Sequence, residues 1–269
     1  MTRAISLAAL TVLEAGPVET IRIAAACGYT HVGLRPVAAT PTERHWPMMS
    51  DAALAGEIRA ALDGEGVGVL DVEILRLTDA IDWDLVRATA DYAAAVDARR
   101  ILVADNDPDA GRSRDNLARM GEIADGAGAV VALEFMPWTH APNLAAARAR
   151  TQGLRGVAML IDAFHLVRSG GRVDELVAGD PAISYLQLCD IAGPIPDMDA
   201  ILTEARADRL FPGEGEVDLA GILARYPTLP ISLEIPADRL RLLGVGPRER
   251  AALAITAMRR VMEKAGQND

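Results

Sequence analysis

The sequence predicts an α/β protein built as one (β/α)8 barrel of the TIM type, with residues 1–269 forming a single domain. Three observations carry this. The length of 269 residues is close to the roughly 250 of one closed α/β barrel. Half of the residues are hydrophobic (51%) but only 4% aromatic, so the core must be Ala, Val, Leu and Ile, the composition of helices packed on a buried parallel sheet. Finally, short β-rich runs alternate with amphipathic segments eight times, the signature of parallel strands joined by crossover helices.

In order, strands are expected at residues 4–10, 30–35, 68–74, 100–104, 130–135, 157–162, 183–188 and 231–235. Each is a short apolar run bounded by turn residues, as a strand covered on both faces should be. Helical patterns fall between them at 17–27, 52–64, 82–96, 112–127, 142–151, 172–178, 198–206 and 247–265. Gly28, Gly66, Gly128 and Gly156 each separate a helix from the next strand, where left-handed caps are expected. The last helix opens at Pro247 and ends in basic residues before Gly266, matching the asymmetry of helix ends. The longest irregular stretches, 35–50 and 189–218, both follow strands. That places them on the face where barrel loops build active sites.

Composition also excludes partners. A net charge of −11 and a pI near 4.9 disfavour a nucleic acid, whose binding needs clustered Lys and Arg. The apolar run in MTRAISLAALTVLEAG reads as the first barrel strand and not as a leader, and no stretch reaches the roughly 18 apolar residues of a membrane span. Cys27 and Cys189 fit neither a disulfide framework nor a zinc pattern. A reduced, cytoplasmic compartment is expected.

The chemistry shows in the strands. A barrel strand should be apolar throughout, so a polar residue near its C-terminal end needs a reason. Four late strands carry one: Glu134 in VVALEF, Asp162 in VAMLID, Gln187 in ISYLQL and Glu234 in ISLEI. Singly, each could cap a helix or pair with an Arg, Asp162 being the best candidate for a cap. Together they converge on one mouth, where three carboxylates repel unless a cation sits among them. Oxygen donors suit one divalent ion, Mn²⁺ first, with Mg²⁺ or Co²⁺ as alternatives. His165, three residues past Asp162, is placed to be a general acid or base, or else is a loop histidine bonded to backbone. Arg35, Glu73 and Arg76 end strands 2 and 3, where either Arg holds an anionic or polyhydroxy substrate or pairs internally. Asp190 is placed to touch substrate or orient a ligand. Arg206 and Arg209 precede a Gly-rich turn expected at the pocket, Arg206 being the one expected to bind substrate, and Trp138 is expected to wall it. His31, His45 and His140 have no comparable context.

The series Glu134, Asp162 with His165, Gln187 with Asp190, Pro212-Gly213-Glu214-Gly215 and Glu234 resembles the xylose-isomerase-like barrel superfamily. That group includes sugar phosphate isomerases and epimerases, inosose and dehydroshikimate dehydratases, and endonuclease IV. The resemblance implies a barrel with one Mn²⁺, Mg²⁺ or Co²⁺ on Glu134, Asp162, position 187 and Glu234. The family pattern usually has His where Gln187 stands; some dehydratase-like members share the Gln, whose carbonyl still offers an oxygen. The endonucleases resemble His-rich three-metal sites, which four histidines and an acidic chain do not match.

Three functions follow as expectations. The leading one is an isomerase or epimerase of a small sugar, keto-sugar or polyol, in which Glu134 and Glu234 exchange a proton from opposite faces of an enediolate. The second is a dehydratase-like lyase, for which His165 becomes essential. The third is a silent barrel that binds a sugar or serves as a partner subunit, against which the intact acidic set argues. A small polyhydroxylated substrate is expected throughout, and the resemblance implies a homo-oligomer, a dimer or tetramer.

Overall fold

A computed structural model describes residues 3–267; residues 1–2 and 268–269 of the expected domain lie outside the described residues. Eight parallel strands close into a barrel, each paired with the next in sequence. They are β1 (Ile5–Leu7), β2 (His31–Leu34), β3 (Gly68–Leu77), β4 (Arg100–Asp105), β5 (Val130–Glu134), β6 (Val157–Asp162), β7 (Ile183–Leu188) and β8 (Ile231–Leu233). The ring closes where Ile5, Ser6 and Leu7 pair with Ile231, Ser232 and Leu233.

The helices are α1 (Pro17–Cys27), α2 (Ala52–Glu65), α3 (Trp83–Ala95), α4 (Ala110–Gly126), α5 (Leu144–Thr151), α6 (Ala163–Arg168), α7 (Met198–Ala207), α8 (Leu219–Arg225), α9 (Asp238–Leu242) and α10 (Pro247–Lys264). Their starts follow side-chain capping: Asp51, Asp82, Asp109 and Asn143 each accept from the first free N–H groups of α2, α3, α4 and α5. Gly28 and Gly66 close α1 and α2 at φ 82° and 66°, where a Cβ would be strained.

Four expectations need correction. The first strand was expected over 4–10 but stops at Leu7. The Thr11 hydroxyl donates to the Leu233 carbonyl at 2.8 Å and accepts from the Ile235 N–H at 2.8 Å, which bends the chain into a 3₁₀ turn at Ala9–Val12. A helix expected at 172–178 is only a 3₁₀ turn at Val173–Glu175. The α-helix of that repeat is α6, which Asp162 starts directly on the end of β6 and which gives way to Gly170 at φ 81°. Helices α8 and α9 were not foreseen, and β8 ends one residue before Glu234.

The main apolar core lies between sheet and helices, and a smaller one lies inside the barrel with Leu70, Ile74, Leu102, Ala132, Leu160 and Tyr185. Each fully buried aliphatic side chain stabilises by about 1.5–3 kcal/mol. Among the described residues no helix is long and apolar enough to cross a membrane. Both cysteines are free thiols, Cys189 buried and Cys27 half-buried.

Candidate metal centre

Side chains alternate across a strand, so residues two apart share the barrel interior. Along β5, β6 and β7 this places Ala132, Leu160 and Tyr185 in the apolar interior, with Glu134, Asp162 and Gln187 one step nearer the C-terminal mouth. Asp162 and Gln187 are register partners, and Glu234 follows β8 directly, its N–H bonded to the Leu188 carbonyl at 3.3 Å. None of the four is more than 4% exposed.

Two guanidiniums reach into this set. Arg209 donates from Nη1 to Asp162 Oδ2 at 2.8 Å and lies 3.0 Å from Glu234 Oε2; its Nε donates to the Ala205 carbonyl. Arg35 donates to Glu73 Oε2 and to Glu43 Oε2 at 3.2 Å, and lies 3.8 Å from Glu234 Oε1. Asp162 is bound on both oxygens, since Oδ1 accepts the Phe164 and His165 N–H groups at 2.6 and 3.3 Å. His165 Nε2 stands 3.6 Å from Glu134 Oε1 and 3.8 Å from Asp162 Oδ2, with Trp138 and Phe164 edge-on to its ring at 5.0 and 5.3 Å.

Burial, then the charges of Glu234 and Asp162, hold Glu134 well above the usual carboxylate range. Burial pushes Glu234 up to about 7, against the pull of Arg209. Burial opposes ionisation of Asp162 as well, but Arg209, His165 and the hydrogen bonds overcome it and leave its pKa below the ordinary value. The His165 imidazole falls to about 4 through burial, with Arg209 adding to the effect and Asp162 opposing it. It is neutral at pH 7, free to accept a proton or a metal.

These residues fit a divalent cation. Glu134 Oε1 and both amide atoms of Gln187 are buried without a hydrogen-bond partner among the described residues, a cost of about 1–3 kcal/mol for each group. Donor atoms of Glu134, Asp162 and His165 lie within 4.8 Å of one another. The pairing points the same way: Arg35 and Arg209 serve Glu73, Asp162 and Glu234, and neither forms an ion pair with Glu134 among the described residues. The arginines therefore meet only part of the need for positive charge that the sequence implied.

A cavity of about 600 Å³ opens above the cluster, of a size that suits a small molecule. Glu134, His165, Glu234, Arg35, Glu73, Arg76, Trp138 and Arg206 line it; Asp162 and Gln187 do not. Asp190 is not at the cavity either. Its carboxylate accepts the N–H groups of Ile191, Gly213 and Val217, so it pins the Gly-rich turn where a substrate contact was expected. Of the two readings of Arg35, substrate contact or internal pairing, the structure shows the internal pair, with Glu73 and Glu43. Arg209 proves central although the sequence favoured Arg206, three residues earlier. Glu43 and Asp71 were also missed; Asp71, two residues before Glu73 on β3, shares its interior face, a period-2 signal readable in GVLDVEI.

The family profile of xylose isomerase-like TIM barrels matches residues 21–262. A 3-dehydroshikimate dehydratase of Pseudomonas putida is 33% identical over 138 residues, 47% of this chain and 21% of the relative, so the chain spans about a fifth of that protein's length. The structure of an IolI protein with a bound zinc atom superposes at TM-score 0.81 and 18% identity, covering 97% of this chain and 99% of that one. A probable 3-dehydroshikimate dehydratase, AsbF of Bacillus anthracis, superposes at TM-score 0.75 and 14% identity, covering 95% and 98%. At such identities the superpositions show the fold alone, while the profile match spans most of the sequence. The chain belongs to the xylose isomerase-like TIM barrel family.

Proposed function

We propose that this barrel is a divalent-metal-dependent lyase that removes water from a small hydroxylated ketone through an enolate. The observation that carries the reading is the asymmetry of the two cavity-facing glutamates. Two-base isomerisation needs comparable bases on opposite faces, but Glu234 is within 3.0 Å of Arg209 and 3.8 Å of Arg35, while Glu134 Oε1 faces His165. A neutral imidazole beside the cluster suits elimination by a single group. His165 takes the proton α to the carbonyl, and the C–H electron pair passes to the enolate. As the carbonyl re-forms, the β-hydroxyl leaves and takes that proton from His165, so the products are one conjugated ketone and one water. A divalent cation held by Glu134, Asp162, Gln187 and Glu234 would polarise the carbonyl and stabilise charge on its oxygen. Mn²⁺ is the first choice for this oxygen-rich set, with Mg²⁺ or Co²⁺ also suited. The partial match to a protein named as a dehydratase supports the reading.

Isomerisation or epimerisation, the leading expectation from the sequence, is the second reading, favoured by the placement of Glu134 and Glu234 at the ends of different strands on one cavity. One experiment separates the two. Metal-reconstituted protein is incubated in deuterated water with polyhydroxylated cyclic ketones and with keto-sugars. A rising conjugated absorbance with loss of water supports the lyase; deuterium incorporation without such loss supports isomerisation and overturns it.

A further inference from the structure

The cavity wall carries two guanidiniums that the protein leaves without a carboxylate. Arg76, half-buried near the end of β3, donates to the Asn106 side-chain oxygen at 3.0 Å and the Ala39 carbonyl at 3.3 Å, both neutral acceptors. Arg206, exposed in the last turn of α7, has neither a hydrogen bond nor an ion pair among the described residues. In the same cavity Arg35 and Arg209 are held by carboxylates. The contrast has meaning in a chain of net charge −11, where acidic partners are plentiful. Nor are the two rim arginines independent: burial, with the charges of Arg206 and Arg35, holds Arg76 below its ordinary pKa against the pull of Glu134 and Glu43. Like charges kept together at a cavity, neither of them in an ion pair, form a receptor for an anion.

We infer that Arg76 and Arg206 form a subsite for an anionic group of the substrate, a carboxylate or a phosphate. The inference deepens the function proposed above and rests on it for the substrate's orientation. The oxygens that react face Glu134 and His165, and the anion lies at the rim. Trp138, Met136, Leu102 and Ile74 supply apolar wall to the same cavity, which suits a small carbon skeleton between two polar ends.

The test is a binding comparison that needs no turnover. Isothermal titration of the Mn²⁺-loaded protein compares catechol with 3,4-dihydroxybenzoate, and dihydroxyacetone with its phosphate. Each pair shares vicinal oxygens and differs in the anion. The charged member of at least one pair should bind about 10-fold tighter or better, as expected for charge-assisted hydrogen bonds. The pair that shows the preference identifies the anion. Arg76→Gln with Arg206→Gln should abolish the preference while leaving the neutral members within about 3-fold of wild type. Arg206→Glu, at an exposed position with no partner to lose, should reverse it without disturbing the fold. Equal binding of charged and neutral probes, a preference that survives the double variant, or no binding of any probe would overturn the inference. A protein that prefers the anion yet eliminates no water keeps this subsite and loses the lyase assignment.

Discussion

Replacing Arg209 by Met tests the charge balance of the centre most directly. The side chain is buried and serves Asp162 at 2.8 Å and Glu234 at 3.0 Å, so the substitution leaves two buried carboxylates facing one another without their shared cation. Breaking a buried pair in this way costs about 3–5 kcal/mol. Glu234, already pushed up to about 7, can take a proton and hold the cost near the lower figure. For a domain of this size, about 3 kcal/mol lowers Tm by roughly 6–12 °C. A divalent cation restores the missing charge, so the loss should shrink when metal is present. Thermal melts of wild type and Arg209→Met at pH 7.5, in EDTA and in excess Mn²⁺, measure both quantities. A metal-free Tm within about 2 °C of wild type, a shift under 1 kcal/mol, would refute the role of Arg209 as counterweight. An equal loss with and without Mn²⁺ would refute the link between that charge and the metal.

Three further outcomes are expected. Without metal, stability should fall as pH rises from about 6.5 toward 8. Folded Glu234 keeps until about 7 a proton that it loses near 4.5 when unfolded, so its contribution is full below 4.5 and is lost as pH rises. His165, depressed from 6.5 to about 4, contributes above 6.5 and loses that contribution as pH falls. The two trends oppose each other between 4.5 and 6.5, and above that window only the carboxylate trend remains, extended by Glu134; denaturant melts in EDTA showing stability rising over 6.5–8 would contradict this. His165→Ala should lower elimination by about 10²-fold or more, as for loss of a general acid–base group, while Mn²⁺ binding by titration stays within about 10-fold; unchanged turnover would remove His165 from the reaction. Thr11→Val deletes both bonds that tie the chain after β1 to the end of β8 and should cost about 1–3 kcal/mol, read as a shift in urea midpoint; a change below 0.5 kcal/mol would show that the hydroxyl does not help to close the barrel.

What the sequence made legible follows from contrast. Glu134, Asp162, Gln187 and Glu234 stood out because a polar residue ending an apolar run has few innocent explanations, and the barrel topology then brings them together. Asp71 escaped notice because it lies mid-strand, although it is fully buried beside Glu73. The choice between Arg206 and Arg209 was beyond periodicity. Helix α7 stops at Ala207, and bridges from Asp208 to Ala237 and from Asp190 to Leu210 then set the chain's course, turning Arg209 inward while Arg206 stays at the rim. Those are long-range contacts, and no local pattern encodes them.

The misplaced sixth helix bears on the chemistry. Had the helix begun near residue 172, His165 would sit in a free loop, and its distance from Asp162 would be unconstrained. Instead α6 starts on the residue that ends β6, and Asp162 Oδ1 accepts the N–H groups of Phe164 and His165. One carboxylate thus spends an oxygen on the cap, which fixes its other oxygen toward Arg209 and holds His165 one helical turn away, facing Glu134. The cap that the sequence offered as the plain reading of Asp162 and its place in the charged cluster are two uses of one side chain. The cap positions the histidine, and the remaining oxygen belongs to the charged centre that the histidine serves.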